Sequence, residues 1–271
     1  MQESIRRNKL NMMNGQEWLL FTKSWFVHKS SAKKTKNIHP ASYPDELAEE
    51  FINFFTKPFD WVIDPFAGIG STLSASKRLN RNSIGIELYS DYINYAEKKI
   101  QNQLGKGIST LVHGDCRDII PKLTEEWENK IDFCITSPPY WCQLALQNNK
   151  RQKERRIMGL MTEYGEDNRD LGNISDYNRF LDEQENIFFQ LDKLMKLGSY
   201  IVVITNNCYK DGKLYPLAFD TFRSLSKFWT PKDEKIWCQD DKKLFPFGIF
   251  STYVGNRAHH YCLIFKKEQI K

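Results

Sequence analysis

Short apolar runs alternate with segments of helical spacing through the first half of the chain. Four apolar runs have the length of buried strands, at residues 61–63, 83–87, 111–115 and 133–135. Before and between them, apolar residues recur three and four positions apart, at residues 46–55, 72–79, 91–103 and 119–127. Strands that alternate with helices predict an α/β fold, in which a doubly wound and mostly parallel sheet is covered by helices on both faces.

The second half of the chain adds two helices and three strands to this prediction. Ser175 or Asp176 is expected to cap a long helix that runs through Leu197 and ends at Gly198. Strand 200–205 and helix 216–226 follow, and strands 233–238 and 260–265 are expected to form an antiparallel hairpin at the edge of the sheet. Residues 1–16 have no clear period, whereas the apolar, aromatic stretch 17–27 is expected to pack on the main domain.

Glycines and acids follow the first three predicted strands. The first strand runs into the loop Asp64-Pro65-Phe66-Ala67-Gly68-Ile69-Gly70-Ser71-Thr72 and then a helix, an order typical of nucleotide sites in doubly wound sheets. The next two strands end at Glu87, placed to accept hydrogen bonds from ribose hydroxyls, and at Asp115, placed to meet an adenine amino group. The loop lacks the third glycine of the dinucleotide fingerprint, and the acid follows it sooner, so a compact adenosyl ligand is favoured over NAD.

The fourth strand runs into the string Thr136-Ser137-Pro138-Pro139-Tyr140-Trp141. Proline has no N–H and a fixed φ, so carbonyls around the pair are free to accept hydrogen bonds from a ligand. Ser137 can also accept a hydrogen bond from an amine, and the aromatic pair can stack on a flat ring. Two prolines alone favour a plain turn at the end of a strand, but the full string is much more specific.

Length and composition are those of a globular protein with one sizeable α/β domain and an insertion, or with two small domains. The chain has 271 residues, 27% of them charged, with a net charge of +5, which permits nucleic acid as a partner without demanding it. No apolar stretch approaches the about 20 residues that span a bilayer, and no signal peptide is evident, so a cytoplasmic location is expected. The six cysteines contain no Cys-x-x-Cys pair, and we expect neither a metal site nor a disulfide framework.

Two clusters of basic residues have two interpretations each. A solvated surface explains both clusters, and contact with a DNA backbone explains them equally well. The DNA-binding candidates are Lys33, Lys34 and Lys36 in the first cluster and Lys150, Arg151, Lys153, Arg155 and Arg156 in the second.

The chain resembles the bacterial DNA amino-methyltransferases of restriction–modification type over nearly its whole length. The resemblance rests on six ordered pieces: HPASYP, DPFAGIGST, GIEL, HGD, TSPPYW and YVGNRAHHYCLIFKK. It implies a Rossmann-like fold, S-adenosylmethionine as cofactor and double-stranded DNA as substrate. The Ser-Pro-Pro-Tyr motif is most similar to that of members that methylate the 4-amino group of cytosine.

The resemblance also implies roles for individual residues. Ser137, Pro138, Pro139 and Tyr140 would receive a flipped-out base, and Tyr140 would stack on it. The candidates for cofactor binding are His39, Pro40, Asp64, Phe66, Gly68, Gly70, Ser71, Thr72, Glu87 and Asp115. A cognate restriction endonuclease is a candidate partner.

The order of the motifs differs from that of most similar enzymes. In those enzymes the catalytic motif precedes the cofactor motif, whereas here the cofactor motif comes first, and HPASYP and EWLLFTKSW open the chain. This order indicates a circular permutation within a single methyltransferase domain, residues 1–271. Because no large extra domain is evident, residues 142–174 and 239–258 are the candidates for target-recognition loops.

Three alternative functions stay open at this point. Ser137 favours cytosine, because adenine enzymes more often carry Asp or Asn there, but adenine-N6 methylation is the first alternative. Methylation of an RNA amine and a non-catalytic nucleic-acid binding module are the others. Methylation at carbon 5 of cytosine is set aside, because it usually needs a cysteine after a proline and the chain has no Pro-Cys dipeptide.

Overall fold

The computed structural model describes residues 8–28, 42–141, 167–242, 244–247 and 250–269. Its main feature is an eight-stranded sheet with the order β1-β9-β10-β6-β5-β2-β3-β4. The strands of this sheet are β1 (Trp25–Val27), β2 (Trp61–Asp64), β3 (Asn82–Glu87), β4 (Ser109–His113), β5 (Ile131–Thr136), β6 (Met195–Thr205), β9 (Thr230–Cys238) and β10 (His259–Lys266). Strands β7 (Cys208–Lys210) and β8 (Lys213–Tyr215) form a separate small hairpin.

Helices connect most of these strands. They are α1 (Gly15–Phe21), α2 (Asp45–Phe55), α3 (Ser71–Arg78), α4 (Ser90–Gln101), α5 (Cys116–Trp127), α6 (Tyr177–Asp192) and α7 (Leu217–Leu225), with a 3-10 turn at Leu171–Asn173. Within the described ranges, no helix is both long and apolar enough to cross a membrane.

The predicted α/β fold with a doubly wound, mostly parallel sheet is confirmed. Strands β6, β5, β2, β3 and β4 run parallel to one another, so their carboxyl ends meet at one edge of the sheet. The alternation of side chains along the central strands divides the core between two faces. Val62 and Phe133 pack with α2 on one face, whereas Ile63 and Cys134 pack with residues of α5 and α6 on the other.

The C-terminal strands form the expected antiparallel pair, with a difference in position. β10 is antiparallel to both β9 and β6, and therefore lies inside the sheet. The outer side of β9 pairs in parallel with β1. The predicted packing of the apolar stretch 17–27 on the domain is confirmed only in part: Phe21 stacks on Phe54 of α2 with ring centroids 3.9 Å apart, whereas Leu19 and Leu20 are exposed.

The prediction that the long helix runs through Leu197 is wrong. Helix α6 is capped by Asp176, as expected, but ends at Asp192, and β6 already begins at Met195. Met195 pairs with Ile131 of β5, and the N–H of Gly198 donates to the carbonyl of Lys267 at 2.8 Å. Because this segment finds backbone partners on both sides, strand pairing outweighs its helical periodicity.

Candidate active site

An open cavity lies at the carboxyl ends of β2, β3, β4 and β5, with about 660 Å³ of empty space when the open solvent at its mouth is included. This is the position at which doubly wound sheets bind their ligands. Six predicted site residues line the cavity, and they are Phe66, Gly68, Glu87, Asp115, Ser137 and Pro139. The structure therefore brings the predicted features at the ends of four strands to one place.

Glu87 ends β3, and its side chain is 8% exposed at the wall of the cavity. The N–H of Gly68 donates to one carboxylate oxygen at 2.7 Å, and the N–H of Tyr89 donates to the other at 2.9 Å. Burial raises the pKa of Glu87 to about 7, although these backbone hydrogen bonds act in the opposite direction. Each oxygen keeps acceptor capacity for a further donor such as a ribose hydroxyl.

Asp115 lies two residues after β4 and is the N-cap of α5, where it accepts a hydrogen bond from the N–H of Arg117 at 2.9 Å. The Arg117 guanidinium also donates to both oxygens of Asp115, with one Nη2–Oδ2 distance of 2.7 Å. Arg117 further donates to Glu183 of α6 and to the carbonyl of Arg169. Asp115 therefore lines the cavity as half of an ion pair, which the sequence analysis did not predict.

Glycine 70 allows the loop between β2 and α3 to pack closely on α4. It has φ +77°, a conformation that costs other residues energy, and it precedes the first turn of α3. A Cβ at this position would lie 2.9 Å from the Cβ of Ala96. Gly70, Ser71 and Thr72 do not line the cavity: Ser71 donates to the carbonyl of Tyr43 at 3.0 Å.

Asp64 is buried behind the cavity and accepts hydrogen bonds from three hydroxyls. Tyr43 donates to it at 2.9 Å, Thr72 at 2.6 Å and Thr136 at 2.6 Å, and the N–H of Phe66 donates at 3.1 Å. Burial raises the pKa of Asp64, whereas these donors lower it. The carboxylate thus joins three segments of the chain, the one before α2, the glycine loop and β5.

Within the predicted catalytic motif, Ser137 faces the cavity, whereas Tyr140 is buried beside it. Ser137 and Pro139 line the cavity, whereas Pro138 and Tyr140 are buried next to it. The hydroxyls of Ser137 and Tyr140 lie 3.1 Å apart, and the Tyr140 hydroxyl lies 3.1 Å from Nδ1 of His260 on β10. Burial raises the pKa of Tyr140, so its hydroxyl stays protonated.

Three consecutive residues that were not predicted as site residues also line the cavity. Asp170 is 5% exposed, lines the cavity and accepts a hydrogen bond from the Tyr89 hydroxyl at 2.7 Å. Its neighbours Arg169 and Leu171 line the cavity as well. The only sequence signal was indirect, because Tyr89 lies two residues after the predicted ribose acid and Asp170 is an acid within the candidate recognition loop 142–174.

Several predicted site residues lie outside the described residues. They are His39 and Pro40 of the cofactor set and all eight DNA-binding candidates: Lys33, Lys34, Lys36, Lys150, Arg151, Lys153, Arg155 and Arg156. Residues 142–166 of the first candidate recognition loop also lie outside, as do residues 243, 248 and 249 of the second.

Similar solved structures define the class of fold. The chain superposes on NSun6 from Pyrococcus horikoshii with SFG with a TM-score of 0.52 and 14% identity, over 89% of this chain and 56% of that chain. A structure from work on the conversion of a disulfide bond into a thioacetal group during echinomycin biosynthesis gives a TM-score of 0.50 and 13% identity, over 86% of this chain and 84% of that one. The fold is that of S-adenosylmethionine-dependent methyltransferases.

Sequence comparisons narrow the class. A family described as DNA methylase matches residues 2–98, which include the glycine loop and Glu87. The orphan methyltransferase M.BamHII of Bacillus amyloliquefaciens is 31% identical over 106 residues, 38% of this chain and 39% of that protein. The type II methyltransferase M.BglII of Bacillus subtilis is 42% identical over 59 residues, 22% of this chain and 16% of that protein.

A third relative, the type II methyltransferase M.MthZI of Methanothermobacter thermautotrophicus, is 40% identical over 77 residues, 28% of this chain and 20% of that protein. The chain therefore spans less than half the length of each of these relatives. Over the matched segments the chain is therefore similar to DNA methylases and to type II and orphan methyltransferases. The comparisons likewise support the predicted cofactor, S-adenosylmethionine.

The residues around the cavity fit this cofactor. The Glu87 carboxylate has lone pairs left for ribose hydroxyls, and Phe66 and Leu171 supply apolar walls for a flat base. Ser137 lines the same cavity.

Proposed function

We propose that the protein transfers a methyl group from S-adenosylmethionine to the exocyclic 4-amino group of cytosine in double-stranded DNA. The observation that carries the proposal is the placement of Ser137 and Pro139 in the same cavity as Glu87. A cofactor held by its ribose at Glu87 and a base amine held at Ser137 would meet inside this cavity. The cofactor supplies an electrophilic methyl group, and this chain supplies the positions of both reactants.

Ser137 would act on the lone pair of the amine nitrogen. That lone pair is delocalised into the cytosine ring, which makes the amine a weak nucleophile. Hydrogen bonds from the amine to Ser137 Oγ and to a carbonyl of Pro138 or Pro139 would favour a tetrahedral nitrogen and stabilise the positive charge that develops on it. The nitrogen–carbon bond forms as the carbon–sulfur bond breaks, and the nitrogen then releases one proton to solvent.

DNA has to present the base outside the duplex, because the amine is paired within it. The prediction that Tyr140 stacks on the flipped base stays a prediction, since Tyr140 is 9% exposed in this structure. The basic clusters at residues 33–36 and 150–156 remain the proposed DNA contacts, and residues 142–174 and 239–258 remain the proposed recognition loops of a single domain. A cognate restriction endonuclease and a cytoplasmic location also remain predictions.

The choice of cytosine over adenine rests on Ser137. We propose to incubate the protein with labelled S-adenosylmethionine and unmethylated genomic DNA and to identify the methylated nucleosides by mass analysis. The expected product is 4-methylcytosine, and the variant Ser137→Ala, at matched concentration, should form much less of it. Label found only in 6-methyladenine would contradict the choice of base. Label found in RNA and not in DNA would contradict the proposed substrate.

A further inference from the structure

Ser137, Tyr140 and His260 form a chain of hydrogen bonds from the cavity into the protein interior. The Ser137 and Tyr140 hydroxyl oxygens are 3.1 Å apart, and the Tyr140 oxygen and His260 Nδ1 are also 3.1 Å apart. His260 lies on β10, in the last of the six sequence pieces, to which no function was assigned. The strand pairing of β10 with β6 brings this residue next to the end of β5.

The surroundings of His260 keep its imidazole neutral. Its ring stacks on Trp237 of β9, with centroids 4.7 Å apart and planes at 25°. Burial, followed by the nearby charges of Lys242 and His259, lowers the pKa of His260 to about 3. A neutral imidazole has one N–H donor and one nitrogen acceptor, so its tautomer decides the direction of the hydrogen bond to Tyr140.

The two tautomers give Ser137 opposite properties. If Nδ1 carries the proton, it donates to Tyr140, Tyr140 donates to Ser137, and the Ser137 hydrogen is free to point at the substrate. If Nδ1 is the acceptor, Tyr140 donates to it, and Ser137 must donate to the Tyr140 oxygen. In this second case the lone pairs of Ser137 Oγ face the cavity without a competing hydrogen.

We infer that His260 is a positioning residue that accepts the Tyr140 hydrogen bond at Nδ1 and thereby makes Ser137 an acceptor for an amine. A phenol is a stronger hydrogen-bond donor than a neutral imidazole N–H, which favours this direction. The inference rests on the proposed function, because only an amine substrate requires an acceptor at Ser137. It also explains how a serine, which can donate or accept, is directed toward an amino group and away from a ring carbonyl.

The direction of the hydrogen bonds can be measured without any substrate. The chain has only five histidines, so the nitrogen-15 signals of His260 can be assigned by comparison with the variant His260→Asn. In the wild-type protein, Nε2 is expected to carry the proton and Nδ1 to be an unprotonated acceptor. In Tyr140→Phe, the Nδ1 signal should shift to that of a nitrogen without a hydrogen bond. A proton on Nδ1 of the wild-type protein would overturn the inference.

The consequence for catalysis is tested with two variants at His260. His260→Leu removes the acceptor, and His260→Asn keeps an acceptor oxygen near the position of Nδ1. We expect kcat to fall about tenfold in His260→Leu, with the KM values for cofactor and DNA unchanged, and to recover largely in His260→Asn. In a Ser137→Ala background, His260→Leu should cause no further loss. The inference would be overturned if kcat fell equally in His260→Leu and His260→Asn. It would also be overturned if His260→Leu lowered kcat as much in the Ser137→Ala background as in the wild-type protein.

Tyr140→Phe provides the same test if His260→Leu does not fold, because it removes only a hydroxyl from the chain. It should lower kcat in the presence of Ser137 and have little effect in Ser137→Ala. A wild-type protein that methylates no cytosine would defeat the proposed function, whereas the nitrogen-15 measurement would still decide the direction of the hydrogen bonds. The two failures are therefore distinguishable.

Discussion

Asp64 and Glu87 stand at the carboxyl ends of the neighbouring strands β2 and β3, yet they have different surroundings. Both side chains are buried, at 1% and 8% exposure, and burial raises the pKa of both. Asp64 accepts hydrogen bonds from three hydroxyls and one backbone N–H, and does not line the cavity. Glu87 accepts one backbone N–H at each oxygen and does line it.

The difference teaches that an acid at the end of a parallel strand has two separate uses. A carboxylate surrounded by donors from several segments holds those segments together, since each donor would otherwise be buried without a partner. A carboxylate that accepts only one backbone N–H at each oxygen keeps lone pairs for a ligand. We therefore assign Asp64 to the stability of the site and propose Glu87 for the cofactor.

The largest effect is expected for Asp64→Asn. The asparagine NH2 group is a donor, so it would face at least one of the hydroxyl or N–H donors and leave it without an acceptor. Each buried polar group without a partner costs about 1–3 kcal/mol. The free energy of unfolding should fall by roughly 3 kcal/mol, as measured in urea. Glu87→Gln is the matched control, and an equal loss of stability in both variants would break the comparison.

Glu87→Gln should weaken cofactor binding more than it lowers the stability of the protein. Hydrogen bonds from ribose hydroxyls to a charged carboxylate are worth about 1.5–3 kcal/mol, so the dissociation constant for S-adenosylmethionine should rise by about tenfold or more. Isothermal titration at pH 8 measures this change. Unchanged affinity in Glu87→Gln, together with weakened affinity in folded Asp64→Asn, would reverse the two assignments.

The raised pKa of Glu87 predicts two pH dependences of opposite sign. Ribose hydroxyls donate to the ionised carboxylate, so the affinity for S-adenosylmethionine should rise as the pH increases through about 7. From pH 6 to pH 8 the increase should be several-fold, to about tenfold, as the ionised fraction of Glu87 grows. The variant Glu87→Gln should show a flat profile, and a wild-type profile equally flat would contradict this account.

The stability of the free protein should change in the other direction. The folded state holds the Glu87 proton up to a pKa of about 7, above its ordinary value of 4.5. The contribution of Glu87 to stability is therefore fully present below about pH 4.5 and is lost as the pH rises through 7. Urea unfolding without cofactor measures this slope, and Glu87→Gln should remove it between pH 5 and pH 8.

The smallest effect concerns two threonines at the ends of neighbouring strands. Thr136 of β5 donates to Asp64, whereas the Thr205 hydroxyl of β6 is buried and has no hydrogen-bond partner among the described residues. Thr136→Val should cost about 1 kcal/mol, and Thr205→Val should be neutral or slightly stabilising. Thermal unfolding measures the stability of both variants. Equal changes in stability would contradict the claim that the hydrogen bond from Thr136 to Asp64 is what distinguishes the two threonines.

The alternation of apolar runs and helical segments was sufficient to predict seven strands of the sheet and most of its helices, but not β1. It failed at residues 195–198, because the pairing of β6 with β5 depends on residues distant in the chain. The glycine loop, Glu87 and Ser137 were predicted as site residues, since parallel strands end at the same edge of a sheet. The ion pair of Asp115 and Arg117 was not predicted, because an Asp two residues before an Arg is found in many local conformations, and most of them do not bring the two side chains together.

His260 shows the same limit from the other end of the chain. It lies 120 residues beyond Tyr140, and only the insertion of β10 between β9 and β6 brings the two together. The sequence predicted this segment as a strand. The face of the sheet on which the His260 side chain lies, and its neighbours there, depend on the register of β10 with β6 and β9. Such a contact is decided by tertiary structure and carries no local pattern.

The central claim is that the two acids at this edge of the sheet have different roles: Asp64 stabilises the site, and Glu87 binds the cofactor. A crystal structure of the protein with S-adenosylmethionine tests it most directly. The account predicts ribose hydroxyls on the Glu87 carboxylate, with Asp64 still accepting hydrogen bonds from Tyr43, Thr72 and Thr136. A cofactor bound to Asp64, with Glu87 making no contact to it, would contradict the account.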